Sequence, residues 1–327
     1  MSMRNILYIG SYWQKSNDIV YLMQRSLERM QALSVTAFDP LIYDIHPSPH
    51  VIKDGCVNWI RDEVISNQIS RCHPSVLICN AGGLSPTADM HQQLENQGIF
   101  RICIALSDPD DFGSRTRRFA PLFNQFFTNA VESITCYREI GVDAKLLPFA
   151  ADPVFHRPLE SRKAHDVVVV GGWRPERAHL VSVLRAHGLR TKCHGKGWRN
   201  RLAEKIGLSC SVHGEAQVAA INSGLVYLSF ALTKAGYTNV KVGIFEAASC
   251  AACILVEDFE ELHRYFAVGE ELVTFRSESE AVEKASWLKE HPEEARRIGA
   301  AARSRLVAEH TWEHRWQGVL RGINGER

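Results

Sequence analysis

The chain has 327 residues, 45% of them apolar and 23% charged, with 38 basic against 37 acidic side chains and a formal charge of +1. That length exceeds one hydrophobic core and indicates two domains, while the balanced charge removes any net-charge argument for nucleic-acid or membrane-surface binding and leaves room only for a local patch. No apolar run reaches the ~20 residues of a membrane span, and the opening "MSMRNILYIGSYW" passes straight from a short apolar run into polar residues, unlike a secretory leader.

In chain order, β-rich runs alternate with helix-like segments. The first half offers strands at Asn5–Gly10, Val35–Pro40, Ser75–Gly83, Phe100–Asp108, Gln125–Ala130 and Ala144–Ala150, with amphipathic helices over Asp18–Leu33 and Asn58–Arg71. The stretch Phe149–His165, "FAADPVFHRPLESRKAH", is rich in proline and charge and has no periodicity, so it is expected to be a hinge. The pattern restarts with strands at Asp166–Gly172, Thr191–Gly197, Leu225–Ala231, Ala251–Asp258 and Leu272–Ser277, and a helix-rich tail begins at Glu278, broken at "EHPEE" and near "EHTWEHRW". Continuous apolar strands alternating with helices predict an α/β protein of two doubly wound parallel sheets covered on both faces. The nine cysteines are odd in number and sit mostly inside apolar runs, which suits reduced, buried thiols in a cytoplasmic protein. Cys250 and Cys253 form a lone C-x-x-C, for which small core residues are a better reading than zinc or redox chemistry.

In doubly wound folds ligands sit beyond the carboxyl ends of the strands. "IGSYWQKSND", with Ser11 and Tyr12, follows the first strand, and "NAGGLSP", with Asn80, Gly82 and Gly83, follows the third. In the second half "GGWRPER" and "HGKGWRN" follow the first two strands; there Gly171, Gly172, Arg174 and Arg177 suit a diphosphate, since glycine admits backbone amides close to an anion and a helix start adds positive partial charge. An ordinary tight turn with solvated arginines explains the same residues equally well. Neither an intact G-x-G-x-x-G nor a G-x-x-x-x-G-K-[ST] is present, which removes the main supports for dinucleotide-binding and P-loop readings. Further on, "TNVKVG" is a loop and "IFEAASC" opens a helix, so Glu246 is expected near a helix N-terminus. A carboxylate there is favoured by the dipole at ~0.3–1 kcal/mol; it can equally accept both hydroxyls of a ribose, with Lys241 near enough to neutralise a pyrophosphate.

The second half resembles the glycosyltransferases of the CgeB/YkvP spore-maturation type, relatives of the GT-B enzymes that transfer sugars from nucleotide donors. The resemblance rests on "DVVVVGGWRPERAHLVSVLRAHGLRTKCHGKGW", "NVKVGIFEAASCAACILVEDFEELHRYF", "GEELVTFRSESEAVEKASWLKEHPEEARRIGAAA" and "HTWEHRW", with "ALSDPDDF" and "LPFAADPVFHRP" as weaker matches, and it spans roughly two-thirds of the chain. It departs from the family at Ala251 and Ala252, where glycines are usual, near Gly243, where an arginine is common, and at Thr238, where related retaining enzymes carry a glutamate.

The resemblance implies a GT-B fold, two Rossmann-like doubly wound domains facing each other across a cleft. Residues 1–155 would bind the acceptor, 156–309 the nucleotide-sugar donor, and 310–327 would form a C-terminal helix crossing back onto the first domain. It implies a metal-independent transferase using a UDP-, GDP- or dTDP-sugar, with Glu246 on the ribose, Arg177 and Lys241 on the diphosphate, backbone around Thr238 and Asn239 near the phosphates or sugar, and Trp198 lining the base pocket. Gly172, Arg174 and Gly195 complete this donor set. No cofactor or metal is expected: "HTWEH" spaces His310 and His314 by four but lacks the glutamate placement of H-E-x-x-H. Asp108, at the end of its strand, is the first candidate for a catalytic base, with Asp110 and Asp111 in reserve and helix-capping aspartates as the plain alternative. The acceptor, a small molecule, protein or glycan rather than nucleic acid, stays open, as does a homodimer. A nucleotide-sugar 2-epimerase and a non-catalytic binding or coat-assembly protein are the competing readings.

Overall fold

A computed structural model describes residues 4–12, 19–41, 48–160, 163–199, 210–233 and 236–324. Asp18, expected to begin the first helix, and Ser161 and Arg162 of the expected hinge lie outside them. The chain forms two compact units, Met1–Pro148 with Trp312–Arg327, and Phe149–Thr311.

The first unit is built on a six-stranded parallel sheet of order β2-β1-β5-β7-β8-β9, comprising β1 (Arg4–Gly10), β2 (Leu33–Phe38), β5 (Val76–Asn80), β7 (Phe100–Ala105), β8 (Gln125–Thr128) and β9 (Ala144–Leu146). Ile6, Leu7, Tyr8 and Ile9 are buried on both faces of β1, as a parallel strand between helices requires. The helices are α1 (Ile19–Glu28), α2 (Asp62–Cys72), α3 (Ala88–Asn96) and α4 (Val131–Glu139). Thr87 caps α3: its Oγ1 accepts from Met90 N–H at 3.1 Å and donates to Asp62 at 2.6 Å, tying α3 to the start of α2.

A second, three-stranded sheet, β3 (Val51–Asp54), β4 (Val57–Ile60) and β6 (Leu84–Pro86), was not expected. Val51–Asp54 and Val57–Ile60 form an antiparallel hairpin turning at Gly55, where φ is +60°. The expected helix over Asn58–Arg71 therefore begins only at Asp62, because Asn58–Ile60 is taken by β4.

The second unit carries a five-stranded parallel sheet of order β11-β10-β12-β13-β14: β10 (His165–Val170), β11 (Thr191–His194), β12 (Gly224–Ser229), β13 (Cys253–Glu257) and β14 (Val273–Phe275). Its helices are α5 (Pro175–Ala186), α6 (Glu215–Asn222), α7 (Val242–Ser249), α8 (Glu278–Glu290) and α9 (Pro292–Glu309). The final helix, α10 (Trp312–Arg321), belongs to the first unit, where Trp316 donates to Met23 O and Ser26 Oγ, each at 2.9 Å, and meets Tyr8 edge-on. In the second sheet the strand order reverses between β10 and β12, the place where an open α/β sheet leaves a crevice beyond its carboxyl edge.

The segment expected to be a hinge is largely built into the second unit. Asn222 on α6 donates to Arg157 O and accepts from Leu159 N–H, Arg157 makes a two-pronged pair with Glu215, and Ser249 on α7 donates to His156 O at 2.6 Å. Residues 151–159 are thus a strap across α6 and α7. The division falls at Pro148 and Phe149, seven residues before the boundary read from the sequence.

Candidate functional site

Three loops meet at the carboxyl edge around the β10/β12 reversal. After β10, Gly171 N–H donates to His194 O at 2.8 Å, and Trp173 N–H to Lys196 O at 2.8 Å. Gly195 has φ +144°, and a Cβ there would stand 2.1 Å from Gly171 O, so only glycine lets the two turns touch. Trp198 donates its indole N–H to Gly171 O at 2.7 Å and packs on the core. The ring buttresses the glycine turn, and the more exposed indole is Trp173, at 46%.

Arg177, in the first turn of α5, donates to Gly172 O at 2.9 Å and lies 5.1 Å from the centroid of Phe230. Its buried Nε has no partner among the described residues. Burial, and then Arg174, push its pKa down, as expected of a cation short of counter-charge. Arg174 reaches Leu232 O at 3.4 Å and Glu176 at 3.7 Å. The loop after β12 folds on itself through an antiparallel bridge between Leu232 and Thr238, and Asn239 N–H is committed to Ala231 O. Glu257, from β13, accepts from Ala231 N–H at 2.6 Å and fixes the start of this loop. Lys241 stands at the N-cap position of α7 without a side-chain capping bond and donates to the side chain of Asn239.

α7 lies tightly on β12 because Gly243 has no side chain; a Cβ there would come 2.5 Å from the Tyr227 hydroxyl. Ile244, Phe245, Ala247 and Ala248 form its buried face. Glu246 is the fifth residue of α7, and the first turn holds no acid. The dipole effect fades within the first turn, so the placement expected from the sequence is corrected and electrostatics of the helix end explain little of it. Glu246 is 13% exposed; Gln217 from α6 donates to its Oε2 at 2.8 Å, and Nε2 of His156 stands 3.6 Å from Oε1. Burial raises its carboxyl to about 7. Tyr227 lies within electrostatic reach of both Glu246 and Arg177.

In the first unit, Ser11 and Tyr12 follow β1, and Tyr12 is held through its N–H to Asp39 at 3.1 Å and its hydroxyl to Gln24. Asn80, expected in a ligand-facing loop, is 1% exposed and donates to Tyr8 OH at 2.9 Å and Met23 Sδ at 3.2 Å, so it is an interior polar residue of β5. Gly82 and Gly83 line a cavity of about 10 Å³ with Ser107, Asp111 and Thr116, room for one water.

Asp108, the candidate base, is 4% exposed. Its Oδ2 accepts from Thr128 at 2.7 Å and from Tyr137 at 2.8 Å, and its backbone N–H and C=O are both held by Asn129. Burial raises its carboxyl to about 6. This geometry makes it an anchor of the loop after β7. Asp111 stands nearer the surface in an ion pair with Arg115 at 3.3 Å.

Residues 174–321 match the family model of glycosyl transferase-like domains. Over those residues the chain is similar to glycosyl transferase-like domains, and its fold is GT-B. Sucrose-phosphate synthase (tll1590) from Thermosynechococcus elongatus aligns with 99% of this chain and 100% of its own at 11% identity and a TM-score of 0.64. Anabaena Alr3699/HepE in complex with UDP and glucose aligns over 98% and 100% at 10% identity and a TM-score of 0.62. AviGT4, a glycosyltransferase involved in avilamycin A biosynthesis, does so over 97% and 96% at 14% identity and a TM-score of 0.58. No curated protein matches the sequence.

Within residues 174–321, the sequence reading missed Gln217 and Glu257. Gln217 sits in a short helix with nothing to mark it, and Glu257 looks like the ordinary polar end of a strand. His156, just outside the matched residues, was legible only as part of "DPVFHRP", a stretch read as linker. Cys250 and Cys253 flank the turn from α7 to β13, where burial raises both thiols to about 12. His310 is buried against Phe245, Tyr265 and Phe266, with Nε2 3.0 Å from Tyr265 O. Among the described residues no three His, Cys, Asp or Glu side chains are arranged to hold a metal ion, and no helix is long and apolar enough to cross a membrane.

Proposed function

We propose that the chain transfers a sugar from a nucleoside diphosphate sugar to an acceptor, as its resemblance to CgeB/YkvP-type enzymes suggests, with the second unit holding the donor. The observation that carries this reading is Glu246. It is a carboxylate outside the dipole's reach, cornered by Gln217 and His156 at the carboxyl edge, and still partly open to solvent. A ribose diol offers two donors to such a group. Arg177 and Lys241 supply cationic donors for the diphosphate, Gly172 and Gly195 let backbone approach it, and Arg174, Thr238 and Asn239 shape its border. Trp198 acts by holding Gly171. UDP is the first donor nucleotide to try, since it is bound in the Anabaena HepE structure.

The reaction runs without a metal in this reading, because arginine, lysine and helix N-termini can stabilise a departing diphosphate. Activity should persist in excess chelator. The first unit takes the acceptor, and the setting is cytoplasmic, in keeping with nine free cysteines.

Calorimetric titration with UDP, GDP and dTDP tests the donor site. Glu246→Gln should weaken the tightest of them by roughly ten- to a hundredfold, the worth of a charged hydrogen-bond partner. Lys241→Ala should weaken the diphosphate more than the nucleoside. Absence of binding by all three, or wild-type affinity in Glu246→Gln, would overturn the reading.

A further inference from the structure

His156 belongs to the strap rather than to the sheet edge, yet its ring is aimed at the site. Its side chain is 2% exposed and Nε2 lies 3.6 Å from Glu246 Oε1. The backbone is fixed on both sides of the ring: His156 N–H donates to Asp152 O at 2.8 Å, and His156 O accepts from Ser249 on α7, the same helix that carries Glu246. Nδ1 is buried with no partner among the described residues. An imidazolium would leave an N–H buried and unpaired at that atom, so the ring is neutral, and burial lowers its pKa to about 4. With Nδ1 buried and unpartnered among the described residues, the tautomer that uses the ring places its one hydrogen on Nε2, toward Glu246.

We propose that His156 is a positioning residue for Glu246, its Nε2–H steering Oε1 while Gln217 holds Oε2, so that the carboxylate's remaining lone pairs face the ligand. The proposal rests on the reading of Glu246 as the acceptor of the ribose hydroxyls. A separation of 3.6 Å exceeds a hydrogen bond, and such contacts tighten when a ligand draws the carboxylate into place. The groups facing Glu246 are His156 on the strap, Gln217 on α6, Tyr227 on β12 and Cys250 at the end of α7. Burial pushes the Tyr227 and Cys250 protons to high pH, so neither titrates between pH 5 and pH 9. His156 and Gln217 are thus the neighbours that favour the ionised acid in that range.

The test titrates the full chain with UDP, GDP and dTDP, takes the tightest binder, and measures its affinity from pH 5 to pH 9. Glu246→Gln, His156→Gln, His156→Phe, His156→Leu and the double variant Glu246→Gln/His156→Phe are compared, each checked by thermal melting. In the wild type, affinity rises with pH as Glu246 ionises. His156→Phe should weaken binding about five- to tenfold at pH 7 and move the midpoint of the pH dependence upward by about half a unit to one unit, because the carboxylate has lost a donor. His156→Leu should do the same if the larger ring unsettles the fold. His156→Gln, which keeps an N–H near Nε2, should stay within about twofold of wild type with an unmoved midpoint. The double variant should bind no more weakly than Glu246→Gln alone.

Wild-type affinity and midpoint in a folded His156→Phe or His156→Leu, beside a weakened Glu246→Gln, would overturn the proposal and leave the donor site standing. Equal losses in His156→Gln, or additive losses in the double variant, would also overturn it. Wild-type binding by Glu246→Gln would bring down the donor-site reading itself, whatever the histidine variants do.

Discussion

Asp108 and Glu246 are both acids lifted above their usual range by burial, one in each unit, to about 6 and about 7. They differ in what meets their oxygens. Asp108 is closed in by two hydroxyls, with the Asn129 side chain holding its backbone, and its neighbours Thr128 and Tyr137 are themselves interior. Glu246 has one firm partner and one ring standing off at 3.6 Å, with a window to solvent. A raised pKa alone does not separate a scaffold from a binding site. What separates the two is whether the unspent lone pairs can be reached: Asp108 Oδ1 is buried with no partner among the described residues, whereas the Glu246 side chain is 13% exposed.

The largest test of that contrast is Asp108→Ala. Removing the shared acceptor of Thr128 and Tyr137 should cost about 3 kcal/mol and lower the melting temperature of the first unit by roughly 6–12 °C. Asp108→Asn keeps an acceptor and should reduce turnover less than tenfold. A catalytic base would instead lose ~10²–10⁴-fold in turnover with the melting temperature intact.

Next in size is the pH dependence. Each folded-state pKa lies above its unfolded value, so the folded chain holds the proton more tightly. The resulting stability is fully present below about pH 4 and is lost as pH rises, through about 6 for Asp108 and about 7 for Glu246. Glu246→Gln should therefore stabilise the chain at pH 8 by about 1–2 kcal/mol and by nearly nothing at pH 5, while weakening nucleotide binding. Chemical denaturation at the two pH values reads this. No stability gain at pH 8 would mean that the carboxylate is better solvated than its burial suggests.

The smallest effect lies at the far end of α7. Ala251 adopts φ +54°, and the bonds Ala252 N–H to Ala247 O and Ala251 N–H to Ala248 O close the helix in the manner that favours glycine. Ala251→Gly should add about 0.5–1 kcal/mol of stability. Nucleotide affinity should not move, which makes it a control for changes that reach Glu246 through the helix rather than through its oxygens.

Much of the fold was legible because parallel strands buried on both faces write themselves as apolar runs: "NILYIG", "DVVVVGG" and "AACILVED" all became strands, the last two ending short of their expected carboxyl ends where the chain leaves the sheet. The hairpin at Asp54 and Gly55 was missed although its turn residues were in view, since Lys53 and Asp54 broke the apolar pattern. At the site, the glycine turns and Arg177 stood out locally. The depth of Asp108 and Asn80 did not, because burial of a polar group is decided by hydroxyls and amides far away in sequence, such as Tyr8 and Tyr137. His156 was hidden for the same reason, its partner lying ninety residues downstream.

The first unit is discontinuous, and the order of synthesis bears on it. Trp316 fills a place beside Tyr8 and bonds to Met23 and Ser26, yet it is made after every residue of the second unit. While the chain emerges from the ribosome, Phe149–Thr311 can close its own core while the earlier-made half still exposes the surface that α10 will cover. The half translated first is thus the half finished last, and its exposed face between those two moments is where a folding helper would have something to hold.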